Sequence, residues 1–448
     1  MHDKEVIIIG AGLVGSLLSI YLSDRGYKVT IYERRQDMRK EMLSAGRSIN
    51  LALSDRGIRA LEAAGVMDEV RPLCIPMHGR YIHKLNGVNT FQPYGKEGQF
   101  INSVSRSGLN IALINAAEGR GVNINFLMKC TGINLDKNRV TLEDSDSVQH
   151  EEIADIIFGS DGAFSASRLS HQLNADRFQY NQFYIDFGYK ELTIPAGENS
   201  EFRMEKNALH IWPRGNYMLI ALPNIDGSFT CTLFFPFEGI PSFASLQTPA
   251  EVKSFFSETF PDVVPLMPSV EREYFANQTS SLVTIKCFPW VVEDKFALIG
   301  DAAHAIVPFF GQGMNCGFED CFVLNELIDK HAEDWNAILK EYQELRKPDA
   351  DAIADMALNN FVEMRDKVGD EQFLLQKKIE SLFNLKHPDK WIPAYSQVTF
   401  SPQIRYSEAL ASSIRQDCIM EQVMNMPDIT DIWDGAEVEK KMLELLKR

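Results

Sequence analysis

Positive charge is in short supply in this chain. Its 448 residues include 45 Lys and Arg against 62 Asp and Glu, a formal net charge of −17. A surface of that sign repels nucleic acid and anionic lipid, so neither is expected as a partner, although a few arginines can still dominate one pocket. Cysteine is sparse: Cys74, Cys130, Cys231, Cys287, Cys316, Cys321 and Cys418. The count is odd and no C-x-x-C pair occurs. That argues against a disulfide framework or a structural zinc site, and no metal is expected. Buried thiols in a reducing compartment fit better. No run of 18 apolar residues is present, so no transmembrane helix is expected. No basic leader precedes the first apolar strand, and a cytoplasmic protein is expected. Internal repeats and low-complexity segments are also lacking, and no Ser-His-Asp arrangement is readable.

What is present is ordinary globular composition, with 45% hydrophobic and 24% charged residues, at a length that suggests two or three packed domains. Residues 5 to 33 read as strand (Glu5 to Ile9), glycine turn, helix (Leu13 to Leu22) and strand (Lys28 to Tyr32), a βαβ unit. Residues 54 to 70 have the spacing of one amphipathic helix. The period changes to two from about residue 78, and residues 176 to 293 alternate aromatic and β-branched residues with short turns, predicting an antiparallel sheet. The α/β pattern resumes over 296 to 345, and helical patterns dominate from Pro348 onward, ending in an amphipathic segment from Val438. The expected organisation is a discontinuous nucleotide domain (1–75, 100–175 and 295–347), a sheet domain inserted in it (76–99 and 176–294), and a helical region (348–448).

Two glycine-bearing turns carry the chemistry. Gly10-Ala11-Gly12-Leu13-Val14-Gly15 fits G-x-G-x-x-G, a pattern that is weak alone. Here it follows an apolar strand, opens a helix, and is followed 18 residues after Gly15 by Glu33 at the end of the next strand. Glycines at these positions admit the pyrophosphate of a dinucleotide, and an acid there can accept hydrogen bonds from a ribose, favouring FAD or NAD over NADP. The second turn is Phe296 to Asn315, FALIGDAAHAIVPFFGQGMN. A nicotinamide enzyme needs no second element so far downstream, whereas FAD does, because its ribitol and ring system extend beyond the first βαβ unit. Asp301 is placed for ribitol hydroxyls. The Gly313-Met314-Asn315 backbone, at a helix start, is placed for the pyrimidine edge of the flavin. The ordinary alternative for Asp301 is a strand-end cap. Two weak signals that agree favour FAD.

With Ser160-Asp161-Gly162 between these turns and Gly300-Asp301-Ala302-Ala303-His304 after it, the chain resembles the class A flavoprotein aromatic hydroxylases. More specific blocks resemble the branch of that family that hydroxylates kynurenine. They are Gly46-Arg47-Ser48-Ile49-Asn50-Leu51-Ala52-Leu53-Ser54, Tyr189-Lys190-Glu191-Leu192, His210-Ile211-Trp212-Pro213, Pro308 to Asn315, and Val398-Thr399-Phe400-Ser401. The resemblance implies an α/β (α+β) fold with a Rossmann-like FAD-binding domain of the p-hydroxybenzoate hydroxylase type, an antiparallel-sheet substrate domain and a helical C-terminal region. It implies FAD as cofactor, NADPH as transient reductant and O₂ as co-substrate. The reaction would take L-kynurenine to 3-hydroxy-L-kynurenine through a flavin C4a-hydroperoxide, in tryptophan degradation or pyridine nucleotide biosynthesis. A hydroxylase of another aromatic acid and a non-catalytic FAD-binding module are the alternatives. A flavin halogenase is disfavoured, since no W-x-W-x-I-P occurs. Mitochondrial members carry a hydrophobic C-terminal tail; this chain ends in a charged helix, so a bacterial type without a membrane anchor is expected.

By the same resemblance, Arg80, Tyr94, Asn360 and Tyr395 fall where the family holds the amino-acid end of kynurenine. A guanidinium fork and tyrosine hydroxyls suit a carboxylate. Taken singly, each has a plainer reading: a strand ion pair, a packed turn ring, a capping amide, a loop ring. Cofactor positions carry over to Leu13, Tyr32, Glu33, Arg34, Ala52, Arg106, Asp301, Met314 and Asn315, with Gly10, Gly12, Gly15 and Gly313 from the turns themselves. Arg106 could neutralise the pyrophosphate or form a helix-start ion pair. Phe309 and Phe310 are candidates for a pocket wall. His304 reads as structural for want of metal-binding partners, and His78 and His83 fall on opposite faces of their strand.

Overall fold

In a computed structural model, the chain is described over residues 4–41, 50–363 and 370–447. The block from Gly46 to Ile49 lies outside them. Six strands make the first sheet, in the order Val291–Val292, Phe296–Leu298, Ile156–Gly159, Glu5–Ile9, Lys28–Glu33, Asn123–Phe126. All neighbours are parallel except the Val291–Val292 edge. Its central strands are buried on both faces, which explains their continuous apolar runs. Helix Leu13–Asp24 crosses from the first strand to its neighbour, and helix Gly313–Lys330 packs beside it.

The second large sheet has seven strands in the order Ser280–Phe288, Gln179–Ile194, Phe229–Pro236, Met218–Pro223, Ala208–Pro213, Gly79–Ile82, Thr90–Pro93. One pair is parallel, Gly79–Ile82 with Ala208–Pro213, and it brings Arg80 opposite Leu209. Alternation along Met218–Pro223 divides the two faces. Leu219 and Ala221 enter one core with Trp212 and Phe256, while Met218, Ile220 and Leu222 face the other way, toward Phe309 and Tyr94. A three-stranded antiparallel sheet, Asn50–Leu53, Ile101–Ser105 and Cys74–Met77, carries Ala52.

Three expectations need correction. The helix anticipated over 54 to 70 is two, Asp55–Ala63 and Met67–Val70, because Gly65 turns the chain at φ +63°. The inserted region is not all sheet. Helices Pro249–Thr259 and Val270–Ala276 cover one sheet face with Val252, Phe255, Phe256 and Tyr274. Finally, the division anticipated before Pro348 falls inside one helix, Trp335–Val362. Proline normally ends a helix by removing an N–H and crowding the preceding turn. Here the helix is held across that turn by buried Arg346 and Asp349, and the Leu345 carbonyl accepts from Arg405 Nη2.

Candidate active site

The two glycine turns meet along the carboxyl edge of the parallel sheet, where open α/β sheets bind their ligands. Gly10 has φ +105°, and a Cβ there would lie 2.8 Å from the Ser160 carbonyl oxygen. A Cβ on Gly15 would lie 2.1 Å from the Gly10 carbonyl oxygen. Only glycine allows this approach of the two backbones, whereas a Cβ on Gly12, the residue before the helix, meets nothing within 4 Å. That combination, closed beneath and open at the helix N-terminus, fits a pyrophosphate. Gly300, at φ +61°, packs on Val14, so the second turn rests directly on the first.

Glu33 is buried and its carboxylate organises the turn. Oε2 accepts from the Ala11 N–H (2.9 Å), and Oε1 accepts from the backbone N–H and Nε of Arg35, both at 2.9 Å. Burial alone would raise its pKa; Arg35 and these amides outweigh that and hold it below the ordinary range. Tyr32 lies in the sheet, its phenol pushed up to about 12 by burial, and its carbonyl accepts from the Gly10 N–H. Arg34 is exposed in the turn that follows, and Leu13 packs partly on the core. Asp301 is exposed at the first position of the short helix Asp301–His304. Arg106 is exposed at the start of helix Arg106–Gly119; burial raises the Glu191 carboxyl and the Arg106 charge opposes it.

Asn315 has a role that the motif does not suggest. Its side chain is fully buried, and Nδ2 donates to the carbonyls of Ala52 and Gly311, both at 2.8 Å, while Oδ1 accepts from the Ser54 N–H at 3.0 Å. It therefore ties the Gly311–Gly313 turn to the strand carrying Ala52. Its backbone stays in the first turn of helix Gly313–Lys330 beside Met314.

The four residues of the expected carboxylate clamp come from four distant segments. The Arg80 guanidinium lies over the Tyr395 ring at 4.6 Å and the Tyr94 ring at 5.5 Å. The two tyrosine rings stack at 5.5 Å with 14° between planes. Arg80 Nε and the Tyr94 hydroxyl are both buried without a hydrogen-bond partner, an arrangement that suits an anionic ligand. Burial pushes the Tyr94 phenol well above its ordinary pKa, and Tyr395 adds to the shift. Tyr395 also stacks on Phe310 (5.6 Å, 22°). Asn360 Nδ2 donates to the Phe309 carbonyl at 2.7 Å. Phe309 itself contacts Phe361 at 4.3 Å and Phe234 at 5.0 Å. Between clamp and flavin turn lie Met218, Ile220 and Leu222, with Ile220 touching both groups. Sequence reasoning passed over these three; every residue of MLIALP is apolar, so no polar alternation marks which of them face this way.

Other expectations resolve differently. His304 does have neighbours of metal-binding type. Nε2 is 2.6 Å from Asp320 Oδ2, and Nδ1 is 3.9 Å from Cys316 Sγ. A cation is already present there, however: Arg346 Nε donates to Asp320 Oδ1 (2.6 Å) and Nη2 to Cys316 Sγ (3.4 Å). Burial would lower the His304 pKa, but Asp320 outweighs it and holds it well raised. Asp161 accepts from the Ser167 N–H (3.0 Å) and from the Ser165 hydroxyl, anchoring helix Ala166–Asn174. His78 is exposed, whereas His83 is buried between Asp262 and His210. A surface groove of about 1070 Å³ runs beside helix Arg106–Gly119, with Gly108 and Leu73 in its lining. Its arginines, Arg39 and Arg120, are paired with carboxylates. No helix among the described residues is long and apolar enough to cross a membrane.

A family model described as an FAD binding domain matches residues 3–357. The kynurenine 3-monooxygenase of Flavobacterium johnsoniae is 52% identical over 446 residues, 99% of each chain. That of Dictyostelium discoideum is 47% identical over 414 residues, 90% of this chain and 89% of its own. Among solved structures, a tetrameric 2-methyl-3-hydroxypyridine-5-carboxylic acid oxygenase matches with a TM-score of 0.70 at 20% identity, covering 90% of this chain and 98% of its own. Klebsiella pneumoniae HpxO, complexed with FAD, matches with a TM-score of 0.66 at 19% identity, covering 85% and 94%. At that identity, these two establish the shared fold.

Proposed function

This chain belongs to the kynurenine 3-monooxygenase family of FAD-dependent monooxygenases, and from that premise we propose that it hydroxylates L-kynurenine at ring carbon 3 and holds the substrate through Arg80, Tyr94, Asn360 and Tyr395. The observation that carries the substrate-binding reading is the half-buried Arg80 beside two tyrosine rings, with its buried Nε and the Tyr94 hydroxyl each left without a well-formed hydrogen bond. An amino-acid carboxylate satisfies both donors.

FAD, when bound, would supply the redox chemistry between NADPH and O₂. The protein's part is placement. Arg80 pairs with the carboxylate, and the Tyr94 hydroxyl donates to it. The aniline ring then runs along Ile220 and Phe234 toward Phe309 and Phe310, which sit in the turn before Gly311. These apolar walls keep water from the reacting carbon, and the distant ionic anchor fixes which ring carbon is presented. Asn360 joins clamp to flavin turn through the Phe309 carbonyl. Gly10, Gly12, Gly15 and Leu13 would hold the pyrophosphate, with Arg34, Arg106 and Ala52 along the same ligand. Glu33 and Asp301 would serve its ribose and ribitol, and Gly313, Met314 and Asn315 the flavin ring. A cytoplasmic site of action belongs to the same reading, supported by seven cysteines that are all free thiols.

The test is product analysis. Yellow, FAD-loaded protein given kynurenine, NADPH and O₂ should form 3-hydroxykynurenine in step with NADPH oxidation. NADPH oxidation yielding only peroxide would reject kynurenine as the substrate.

A further inference from the structure

Arg56 connects two parts of the site that the motifs leave separate. It stands on helix Asp55–Ala63, two residues after Ser54, and is fully buried. Nη1 donates to Glu319 Oε1 at 2.7 Å, on the helix that begins at Gly313. Nε donates to the Val398 carbonyl at 2.7 Å, and Nη2 to the carbonyls of Gln397 (3.2 Å) and Ile404. Gln397 and Val398 lie on helix Ala394–Phe400, which carries Tyr395. The guanidinium carbon sits 4.0 Å from the centre of the Tyr406 ring, whose hydroxyl donates to Gln312 Oε1 at 2.8 Å in the flavin turn. One side chain therefore grips the Tyr395 helix by its carbonyls and the Gly313 helix by a carboxylate.

We propose that Arg56 is a positioning residue for substrate binding, setting the Tyr395 helix against the flavin turn so that the Tyr395 ring stays stacked between Tyr94 and Phe310. The proposal rests on the reading of Tyr395 as part of the kynurenine clamp. The geometry asks for arginine specifically. A planar fork with five N–H donors can reach a carboxylate in one direction and several carbonyls in others, which a lysine ammonium on a flexible stem cannot do together. The carbonyls in question are buried and point at Arg56, so their alignment depends on it. Glu319 keeps two other partners, Arg59 (2.9 Å) and Arg346 (2.8 Å). Loss of Arg56 therefore falls on the 397–404 segment more than on the Gly313 helix. Flavin retention and substrate placement should separate.

A double-mutant cycle in the FAD-loaded enzyme tests this, with kynurenine affinity measured by calorimetry in the absence of NADPH. Arg56→Lys should weaken kynurenine binding about ten-fold or more while leaving the FAD content per chain at the wild-type level. In a Tyr395→Ala background, where no ring is left to position, the same substitution should change affinity by less than about two-fold, since residues acting as one unit are non-additive. Glu319→Gln, which loosens the same connection from the other helix and leaves the 397–404 carbonyls bonded, goes through the same cycle. It keeps the question answerable if Arg56→Lys yields no folded holoenzyme, and it should show a smaller shift with the same non-additivity. Wild-type affinity in the folded variants, or a shift that persists undiminished with Tyr395→Ala, overturns the proposal. A wild-type holoenzyme that does not bind kynurenine brings down the substrate reading itself, and the positioning role with it. Binding by wild type with additive variants brings down the role of Arg56 alone.

Discussion

Asn360 donates its Nδ2 hydrogen to the Phe309 carbonyl across 2.7 Å, joining a helix of the C-terminal half to the turn that precedes Gly311. The bond ties the helix that carries Asn360 to the Phe309–Phe310 segment, whose Phe310 ring stacks on Tyr395. Replacing Asn360 with Ala should leave FAD bound, because no glycine of the cradle is touched. It should raise KM for kynurenine several-fold and increase the peroxide released per NADPH, as the Phe309 wall loses its tether, a bond worth about 1 kcal/mol. Steady-state kinetics with peroxide detection checks this, and tight coupling in the variant would count against it.

Arg80 has a more direct consequence. Its guanidinium is held by two aromatic faces, so a neutral side chain of similar length can occupy the space without collapse. Arg80→Met should keep the fold and the yellow colour and lose a charge-assisted pair worth roughly 1.5–3 kcal/mol, a 10- to 150-fold weaker kynurenine affinity. Calorimetric titration measures it. Affinity within two-fold of wild type would remove Arg80 from the clamp.

How far sequence reading reached can be seen from individual residues. The parallel sheet and both glycine turns were legible because buried strands there are continuous apolar runs, and because a Cβ at Gly15 would strike the Gly10 carbonyl. The helices Pro249–Thr259 and Val270–Ala276 were missed because their core residues, Val252, Phe255, Phe256 and Tyr274, are the same types that line strands. Pro348 reads as a boundary because local chemistry disfavours proline in a helix, whereas the bonds that hold the helix through it, from Asp349 to Arg405 and Ser407, span more than 50 residues. The contact of Arg80 with Tyr94 and Tyr395 was implied only by family resemblance. No spacing rule links a strand arginine to a tyrosine 315 positions away. Arg56 carried no signal at all, since its partners are mostly backbone carbonyls.

Asn315 supplies a prediction that separates its side chain from its backbone. Its amide NH₂ faces two carbonyls, and its oxygen faces an N–H. Asn315→Asp keeps the shape but turns a carboxylate oxygen toward the carbonyls of Ala52 and Gly311. The loss should be roughly 2–3 kcal/mol of stability, with FAD dissociating more readily because the Gly311–Gly313 turn is no longer tied down. Thermal unfolding with and without added FAD gives both quantities, and an unchanged melting temperature would show that the turn does not need this tie.

Acid sensitivity should come in part from two buried histidines. His171 and His210 are each pushed down to about 4, mainly by burial; a bond from His210 to the Glu205 carbonyl opposes this only partly. The unfolded chain takes up a proton at each near an ordinary value of about 6.5, before the folded protein does. Stability linked to these groups is therefore fully present above about pH 6.5, is lost as pH falls, and levels off once the folded pKa of about 4 is passed. The loss is up to about 3 kcal/mol for each histidine. His171 is the cleaner one to remove, because its ring packs edge-on against Phe178 at 5.0 Å and Phe296 at 5.5 Å, surroundings that also accept a phenyl ring. In His171→Phe, urea unfolding midpoints between pH 7 and pH 4 should fall less steeply than in the wild type, by that histidine's share, with little change at pH 7. An equally steep acid limb would mean that His171 is protonated in the folded state, and that burial among these rings does not govern its charge.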